Sequence, residues 1–356
     1  MKTEIVKIAE DNIEAYENEL RCAARIIKDG GLVVFPTETV YGLGGDATSA
    51  ESAEKIYAAK GRPSDNPLII HVADPSDAES YAYTNEIYAA LAEKFMPGPL
   101  TVILKARDTV PEKTRGGLPT VAVRCPENRI AHRLIELVGV PIAAPSANLS
   151  GSPSPTIAKH VVEDMQGRVD MIIDGGECDF GLESTIVKIE DDMTLTLLRP
   201  GKITAHELSL IADTRIADAV TDKLREGERV LSPGMKYRHY APKAPVILLD
   251  GELSECIDYI RAGGERNIAL LCYSDDTREW QNALPHAKLY ELGRREDELS
   301  QAHNLFTLLR ETDKENFEKI YAPLPEKDGI GLALYNRLIR ASAHTIINLK
   351  RCKNNG

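Results

Sequence analysis

Two basic residues directly before a predicted buried strand form the first pattern in this sequence that suits chemistry. Lys60 and Arg62 flank a glycine, Pro63 ends the preceding helix, and the strand that follows runs to His71. A lone Lys-x-Arg is more often a solvated helix end near the helix dipole, and a lone histidine at a strand end is more often structural than a ligand. Two basic side chains that flank the end of a helix, directly before a buried strand, nevertheless suit the binding of an anion.

Small polar residues and arginines follow other predicted strands. Residues 36–44, PTETVYGLG, come after the first buried strand, and residues 145–154, PSANLSGSPS, come after the strand Pro141–Ala144. Hydroxyl groups and a glycine-containing turn let backbone N–H groups approach a phosphate or a carboxylate, although a plain polar loop is an equally good interpretation. Arg124 and Arg199 each end an apolar strand, where an arginine either finds an anionic partner or lies at the surface.

Several common catalytic patterns are absent from the sequence. It has no G-x-x-x-x-G-K-[ST] loop, no G-x-G-x-x-G after a strand, no H-E-x-x-H and no G-x-S-x-G. Its six cysteines form no C-x-x-C pair, so we expect reduced thiols, no disulfide scaffold and no metal site built from protein side chains. No apolar run is long enough to span a membrane, and the acidic N-terminus is unlike a signal peptide. These features predict a cytoplasmic protein.

The elements that must position these residues alternate between helix and strand, which predicts an α/β fold in two domains. We expect a catalytic domain over residues 1–213, a linking segment over 214–244 and a smaller α/β domain over 245–356. The predicted strands are Leu32–Phe35, Leu68–Val72, Thr101–Leu104, Val121–Arg124, Pro141–Ala144, Met171–Asp174, Ser184–Ile189, Val246–Leu249, Ile268–Cys272 and Lys288–Glu291. The predicted helices cover residues 16–27, 50–60, 85–95, 129–138, 156–165, 254–262, 297–312 and 331–343.

The segment between the two domains has an unusual composition. Residues 229–243, RVLSPGMKYRHYAPK, contain four Lys or Arg residues, two tyrosines and a histidine, but no acid. Flexible linkers are usually rich in Gly and Ser or charged without aromatic residues. We therefore favour a functional role for this segment over that of a plain linker.

The overall charge argues against a broad nucleic-acid surface. The chain has 43 Lys and Arg against 55 Asp and Glu, a net charge of −12 at pH 7. Proteins that coat DNA or RNA carry a basic footprint, so we expect no stable nucleic-acid binding. A few local cations are still sufficient to hold a nucleotide.

Taken in order, seven motifs resemble the long, two-domain form of the YrdC-like family, the L-threonylcarbamoyladenylate synthases. They are PTETVYGLG, KGRPSDNPL, TVAVR, PSANLSG, STIV, LRPG and SPGMKYRHYAP, and they extend over most of the chain. The resemblance implies a YrdC-like domain with a large twisted mixed sheet, followed by a smaller Rossmann-like α/β domain. It also implies synthesis of L-threonylcarbamoyl-AMP from L-threonine, bicarbonate and ATP, with release of pyrophosphate. A separate complex would then transfer the threonylcarbamoyl group to tRNA next to the anticodon.

The resemblance also assigns roles to individual residues. The reacting centre would contain Lys60, Arg62, Ser146 and Asn148. L-Threonine would contact Thr39, His71, Arg124, Ala144 and Ser184, with Arg124 suited to a bidentate grip on the carboxylate. ATP, with Mg bridging its phosphates, would contact Arg62, Asn66, Thr120, Ser146, Ser154, Arg199 and His239. Lys236, Tyr237, His239 and Tyr240 would belong to a segment that folds over the pocket as a lid.

Two other functions remain open from the sequence. A YrdC-like domain can also be viewed as a concave surface that binds tRNA directly, which would require strongly salt-dependent binding and a broad basic face. A relative that uses another carbamoyl donor is a weaker alternative, because Thr39 and Arg124 suit threonine. The second domain has no glycine-rich phosphate loop, so we assign no nucleotide to it.

Overall fold

The computed structural model describes residues 2–222 and 240–350. Contacts within these residues divide the chain into a first unit, residues 2–150 and 154–222, and a second unit, residues 151–153 and 240–350. Residues 214–216, which the sequence placed in the linking segment, form the last strand of the first unit's sheet. The short piece 151–153 in the second unit has no counterpart in the predicted boundaries.

The first unit is built on one mixed sheet, as the sequence predicted. Within the described residues it contains twelve strands: β1 (Glu4–Lys7), β2 (Val33–Phe35), β3 (Gly42–Asp46), β4 (Ile69–His71), β5 (Ala82–Tyr83), β6 (Leu100–Ala106), β7 (Thr120–Arg124), β8 (Ile142–Ala143), β9 (Met171–Asp174), β10 (Thr185–Ile189), β11 (Leu195–Arg199) and β12 (Thr214–Ile216). Their order in the sheet is β1-β9-β2-β3-β8-β4-β7-β6-β10-β11-β12, with β5 paired to β6.

Helices of the first unit pack their apolar sides on this sheet. They are α1 (Glu17–Lys28), α2 (Ala50–Lys60), α3 (Glu86–Phe95), α4 (Arg129–Val138), α5 (Ala158–Met165) and α6 (Ala205–Ser209). Leu20 and Ile27 of α1 and Leu134 of α4 lie in one buried cluster with Val33 and Ile173 of the sheet. Burial of such side chains is the main stabilising contribution, about 1.5–3 kcal/mol for each one.

Two glycines of the first unit are required by local geometry. Gly61 ends α2 in the left-handed region, at φ +62°, which turns the chain sharply between Lys60 and Arg62. Gly44 of β3 lies under the ring of Phe35, and a Cβ built on it would come 2.7 Å from Phe35 Cε1. The absence of a side chain therefore allows the Phe35 ring to lie against the strand, where it also makes a T-shaped contact with the ring of His71.

The second unit has a parallel sheet with helices between its strands. The sheet order is β15-β14-β16-β13-β17, and every neighbouring pair is parallel. Its strands are β13 (Val246–Asp250), β14 (Ile268–Tyr273), β15 (Lys288–Gly293), β16 (Lys319–Pro323) and β17 (Ile346–Asn348), and its helices are α7 (Leu253–Gly263), α8 (Thr277–Ala283), α9 (Glu298–Thr312) and α10 (Gly331–Ala341). No helix among the described residues is both long and apolar enough to cross a membrane.

Candidate active site

The ends of neighbouring strands bring predicted threonine-binding residues together. Strands β4 and β7 are parallel, and their register places His71 beside Arg124. Strand β6 is antiparallel to β7 and places Thr101 on the other side of Arg124. The Thr101 hydroxyl lies 2.7 Å from that of Ser184, which directly precedes β10. We call the group of His71, Thr101, Arg124 and Ser184 the carboxyl-end cluster, after the end of β7 at which it lies.

Arg124 is held in this cluster by a buried carboxylate. Its Nη2 donates to Oε1 of Glu38 at 2.7 Å, and both side chains are less than a tenth exposed. Glu38 Oε2 also accepts the backbone N–H of Glu127 at 3.2 Å. The Nε of Arg124 is buried and has no hydrogen-bond partner among the described residues. Because an unpaired buried donor is costly, this N–H is available for a ligand oxygen.

His71 is held in its neutral form. Its ring is buried, with Nδ1 3.3 Å from the carbonyl of Ile142. Burial, together with the positive charge of Arg124, lowers the pKa of His71 to about 3. The imidazole can therefore make hydrogen bonds near neutral pH without adding a second positive charge beside Arg124.

Arg199 joins the carboxyl-end cluster through Ser184. Its Nε donates to the carbonyl of Ser184 at 3.0 Å, and its Nη2 donates to the hydroxyl at 3.1 Å. The sequence assigned Arg199 to ATP and Ser184 to threonine. Since the two side chains are in contact, the two predicted subsites adjoin at this point.

Thr39 is fixed by the hairpin loop that follows β2. Its side chain is fully buried, and its hydroxyl lies 2.9 Å from that of Thr37. The Thr37 hydroxyl also lies 2.6 Å from the carbonyl of Val40. Glu38 lies between these two threonines, so the loop that orders Thr39 also supplies the partner of Arg124.

Two predicted ATP-binding residues lie toward the opposite ends of the same strands. Asn66 precedes β4 and Thr120 begins β7, whereas His71 and Arg124 end these strands. Arg124 lies four residue steps after Thr120 along β7, which corresponds to about 13 Å along the strand. The Asn66 side chain is 1 % exposed, and neither atom of its amide group has a hydrogen-bond partner among the described residues. Such an orphaned amide marks a place for a polar ligand.

Lys60 is bonded to the loop that carries Ser146 and Asn148. Its Nζ donates to the carbonyl of Ser146, to that of Asn148 at 2.7 Å and to Asn148 Oδ1 at 3.2 Å. The Ser146 hydroxyl donates to the same Oδ1 at 2.5 Å. The structure thus brings together three of the four residues predicted for the reacting centre. The ammonium group both orders this loop and places a positive charge within it.

Arg62, the fourth predicted residue of the reacting centre, lies beside Asn66. Its Nη2 donates to the carbonyls of Asn66 and Pro67 at 3.2 and 3.1 Å. The guanidinium group is half-buried rather than enclosed. It therefore adds positive charge at the same end of β4 as Asn66.

The remaining predicted residues lie along the loop after β8. Ala144 is buried and donates its N–H to the carbonyl of Ile69 at 2.9 Å. Ser154 is 1 % exposed, and its hydroxyl donates to Oε1 of Glu183 at 2.5 Å. Backbone hydrogen bonds from Ala147 to Tyr41 and from Tyr41 to Pro155 join this loop to the hairpin loop after β2.

Three of the four residues predicted for the lid, Lys236, Tyr237 and His239, lie outside the described residues. The fourth, Tyr240, is buried in the second unit, and its ring stacks on Phe306 with ring centroids 5.0 Å apart. The assignment of His239 to ATP also stays a prediction.

The sequence analysis assigned no role to two carboxylates that hold predicted ligand residues. Glu38 pairs with Arg124, and Glu183 accepts the Ser154 hydroxyl. Each is an acid among small polar residues next to a strand, in Thr-Glu-Thr and Glu-Ser-Thr. That pattern is a weak signal, because a glutamate in a turn is usually solvated.

Comparisons with known proteins identify the family of the chain. Residues 25–201 match the family model described as "Telomere recombination", and residues 203–343 match the model described as "Threonylcarbamoyl-AMP synthase, C-terminal domain". A threonylcarbamoyl-AMP synthase from Pyrococcus abyssi is 43 % identical over 94 % of this chain and 96 % of its own length. One from Bacillus subtilis is 39 % identical over 95 % of this chain and 96 % of its own.

A solved structure extends the similarity to the fold. The crystal structure of P. abyssi Sua5 complexed with L-threonine has a TM-score of 0.86 and 42 % identity, and the match covers 97 % of this chain and 99 % of that one. The fold and the strand-end groups define a two-domain α/β enzyme of the kind that the seven motifs predicted. The chain belongs to the threonylcarbamoyl-AMP synthase family.

Proposed function

We propose that this chain makes L-threonylcarbamoyl-AMP from L-threonine, bicarbonate and ATP. The observation that carries the proposal is the buried guanidinium of Arg124. Glu38 holds it from one side, and its Nε has no partner among the described residues. A guanidinium with an available N–H suits the planar carboxylate of an amino acid. Neutral His71 and the Ser184 hydroxyl supply hydrogen-bonding groups without further charge.

The reaction needs positioning and charge neutralisation more than a protein nucleophile. The amine of threonine attacks the carbon of bicarbonate, water leaves, and the carbamate forms. A carbamate oxygen then attacks the α-phosphate of ATP, and pyrophosphate leaves. Both steps bring anions together, so fixed positive groups lower the barrier. Lys60 and Arg62 would supply these charges near Ser146 and Asn148.

The spacing along the strands supports this assignment. Threonine at the carboxyl-end cluster lies about 13 Å along β7 from Thr120, and Asn66 lies toward the Thr120 end. A carbamate extends from the amine of threonine toward the nucleotide, so its oxygen meets the α-phosphate between these two groups. Arg199 beside Ser184 and Ser154 beside Glu183 are further residues that we assign to ATP.

We also propose that Mg²⁺ enters with ATP. Among the described residues, no group of three or more His, Cys, Asp or Glu side chains could hold a metal ion, so phosphate oxygens and water suit the ion better than a protein cage. When bound, Mg²⁺ neutralises phosphate charge. The product would pass to a separate complex that modifies tRNA next to the anticodon.

Pyrophosphate release tests the function directly. The complete chain is incubated with ATP and Mg²⁺, and threonine or bicarbonate is omitted in turn. We expect release only when both are present, together with a product containing threonine and AMP. Equal release without threonine would refute the proposal. Replacing threonine by serine and by valine, which lack the methyl and the hydroxyl respectively, tests how the site recognises the side chain.

A further inference from the structure

Two buried hydroxyl groups of the carboxyl-end cluster have one more proton than they can use between them. The Thr101 and Ser184 hydroxyls lie 2.7 Å apart, and both residues are fully buried. The oxygen of Ser184 also accepts a hydrogen bond from Arg199 Nη2 at 3.1 Å. Each hydroxyl has one proton, and only one of the two can lie between the oxygens. Since neither hydroxyl has another acceptor among the described residues, one buried O–H is left without a partner.

The positive charge of Arg199 favours Thr101 as the residue that keeps this proton. A hydroxyl that accepts from a guanidinium is polarised and becomes a stronger donor itself. The Ser184 hydroxyl therefore donates to the oxygen of Thr101. The hydrogen bonds then run from Arg199 to Ser184 and from Ser184 to Thr101, and the proton of Thr101 remains for a ligand.

The sheet places Thr101 one strand nearer to Arg124 than Ser184. Thr101 lies directly opposite Arg124 in the antiparallel pair of β6 and β7, and side chains opposite each other in such a pair lie on the same face. Ser184 precedes β10, which pairs with the other edge of β6. Arg124 itself has a buried Nε with no partner in the described part of the chain. Two neighbouring strands thus offer a ligand one charged N–H and one O–H.

We propose that Thr101 is a further threonine-binding residue, which donates its hydroxyl proton to the carboxylate that Arg124 binds. A carboxylate has two acceptor oxygens, so it can accept from both groups at once. Because both donors are buried, a ligand without an oxygen at this point leaves one of them unpaired, which is costly. The proposal rests on the proposed function, because Arg124 and Ser184 are assigned to threonine there. Ser184 then acts through Thr101, and Arg199 orients both hydroxyls.

Calorimetric titration of the full chain with L-threonine tests this role. Thr101→Val keeps the branched shape but removes the hydroxyl. We expect about a tenfold rise in the Kd of threonine, the loss of one hydrogen bond to a charged group, and less than a twofold change in the Kd of a non-hydrolysable ATP analogue. Thr114→Val is the matched control. Thr114 is also fully buried in the first unit, but its hydroxyl donates to the carbonyl of Ala47 at 3.0 Å, so threonine should bind as it does to the parent protein.

Three further variants separate the hydroxyl from the packing of the side chain. Thr101→Ser retains the hydroxyl and is expected to bind threonine within about threefold of the parent. Thr101→Ala removes the hydroxyl without placing a methyl group beside Ser184, and should give the same rise as Thr101→Val even where that variant folds poorly. Ser184→Ala leaves the Thr101 proton in place, so its Kd should rise less than that of Thr101→Val.

The order of these effects decides the proposal. A larger rise for Ser184→Ala than for Thr101→Val would make Ser184 the direct donor and refute the role of Thr101. An equal loss in Thr101→Ser and Thr101→Val would refute it as well, because the hydroxyl would then contribute nothing. If the parent binds threonine and both Thr101→Val and Thr101→Ala bind it equally well, this inference alone is overturned, whereas a parent that does not bind threonine contradicts the proposed function.

Discussion

The two units bury their polar side chains in different places. In the first unit, buried polar groups such as Glu38, His71, Arg124 and Ser184 lie at strand ends or in the loops beside them. In the described part of the second unit, the buried polar residues are on α9 and α10 or directly after α10: Gln301, Arg310, Thr312, Asn336, Arg337 and Ser342. Strand ends are where α/β proteins gather ligand groups. The difference favours the first unit as the place of the proposed site.

The strand ends of the second sheet also differ from those of the first sheet. A small cavity there is lined largely by apolar and aromatic side chains, including Cys256, Tyr273 and Trp280. Its arginine, Arg295, stacks on Tyr273 and pairs with Asp276 at 2.6 Å. Arg124 has a buried N–H with no partner in the described structure, whereas Arg295 lies largely open to water. The arginine at the strand ends of the first sheet therefore has a donor available to a ligand, whereas the arginine of the second sheet is exposed and paired with Asp276.

The largest expected effect is that of replacing Arg124 by lysine, and the same substitution at Arg295 serves as the comparison. Arg124→Lys keeps the charge but removes the planar pair of donors, so we expect the KM for threonine to rise about a hundredfold. Arg295→Lys is the matched control and should leave both substrates unaffected. Steady-state kinetics with threonine varied at saturating ATP measures both. A similar rise in the KM for threonine in the two variants would contradict the assignment of threonine binding to Arg124.

A second comparison removes the carboxylate partner of each arginine. Glu38→Gln leaves the buried Arg124 without an opposite charge but retains one hydrogen-bond acceptor, so we expect a loss of about 2 kcal/mol in the free energy of unfolding. The Arg295–Asp276 pair is more exposed, with side-chain exposures of 57 % and 18 %. Asp276→Asn should therefore cost less than about 1 kcal/mol. Urea denaturation of the two variants measures both losses in the free energy of unfolding. Equal losses would show that burial does not make the Glu38–Arg124 pair more important to stability than the Arg295–Asp276 pair.

The smallest expected effect is a change in how stability depends on pH. The pKa of His71 is lowered to about 3 in the folded chain, below the value of about 6.5 for an unfolded chain. Between these values the unfolded chain binds the extra proton, so stability is lost as the pH falls below about 6.5. The stability difference between the parent protein and His71→Asn should shrink by about 1 kcal/mol from pH 7 to pH 5.5.

Urea denaturation at both pH values provides that measurement. His286→Asn, at an exposed position of the second unit, is the control for the substitution itself. A stability difference that stays constant for His71→Asn would mean that the imidazole becomes protonated in the folded protein as easily as in the unfolded one.

Much of the fold follows from local patterns in the sequence. The strand Met171–Asp174 and the helices over 50–60 and 129–138 are confirmed with their predicted bounds, because apolar runs and caps mark them clearly. Strand β3 was not predicted as a strand. Its sequence, GLGGD, has three glycines, which have low β propensity, and only pairing with β2 and β8 makes it extended.

From the sequence we could propose a set of site residues, but not the network of hydrogen bonds that holds them. The resemblance assigned His71 and Arg124 to threonine, and the register of β4 and β7 places them side by side. The pair Glu38–Arg124 joins residues 86 positions apart, and nothing local signals it. The same limit applies to the three residues 151–153, since their membership of the second unit depends on contacts made far along the chain.

Gly44, which lies under the Phe35 ring, restricts which substitutions strand β3 can accept during evolution. A single methyl group on Gly44 would also come 2.9 Å from Ile142 and 3.1 Å from the carbonyl of Val33, so no rotation of one side chain makes room for it. A larger residue at position 44 would have to displace the backbone of β2 as well as two side chains, so no single compensating substitution makes room for it. We expect position 44 to stay glycine among relatives, and an alignment in which larger residues are common there would contradict this.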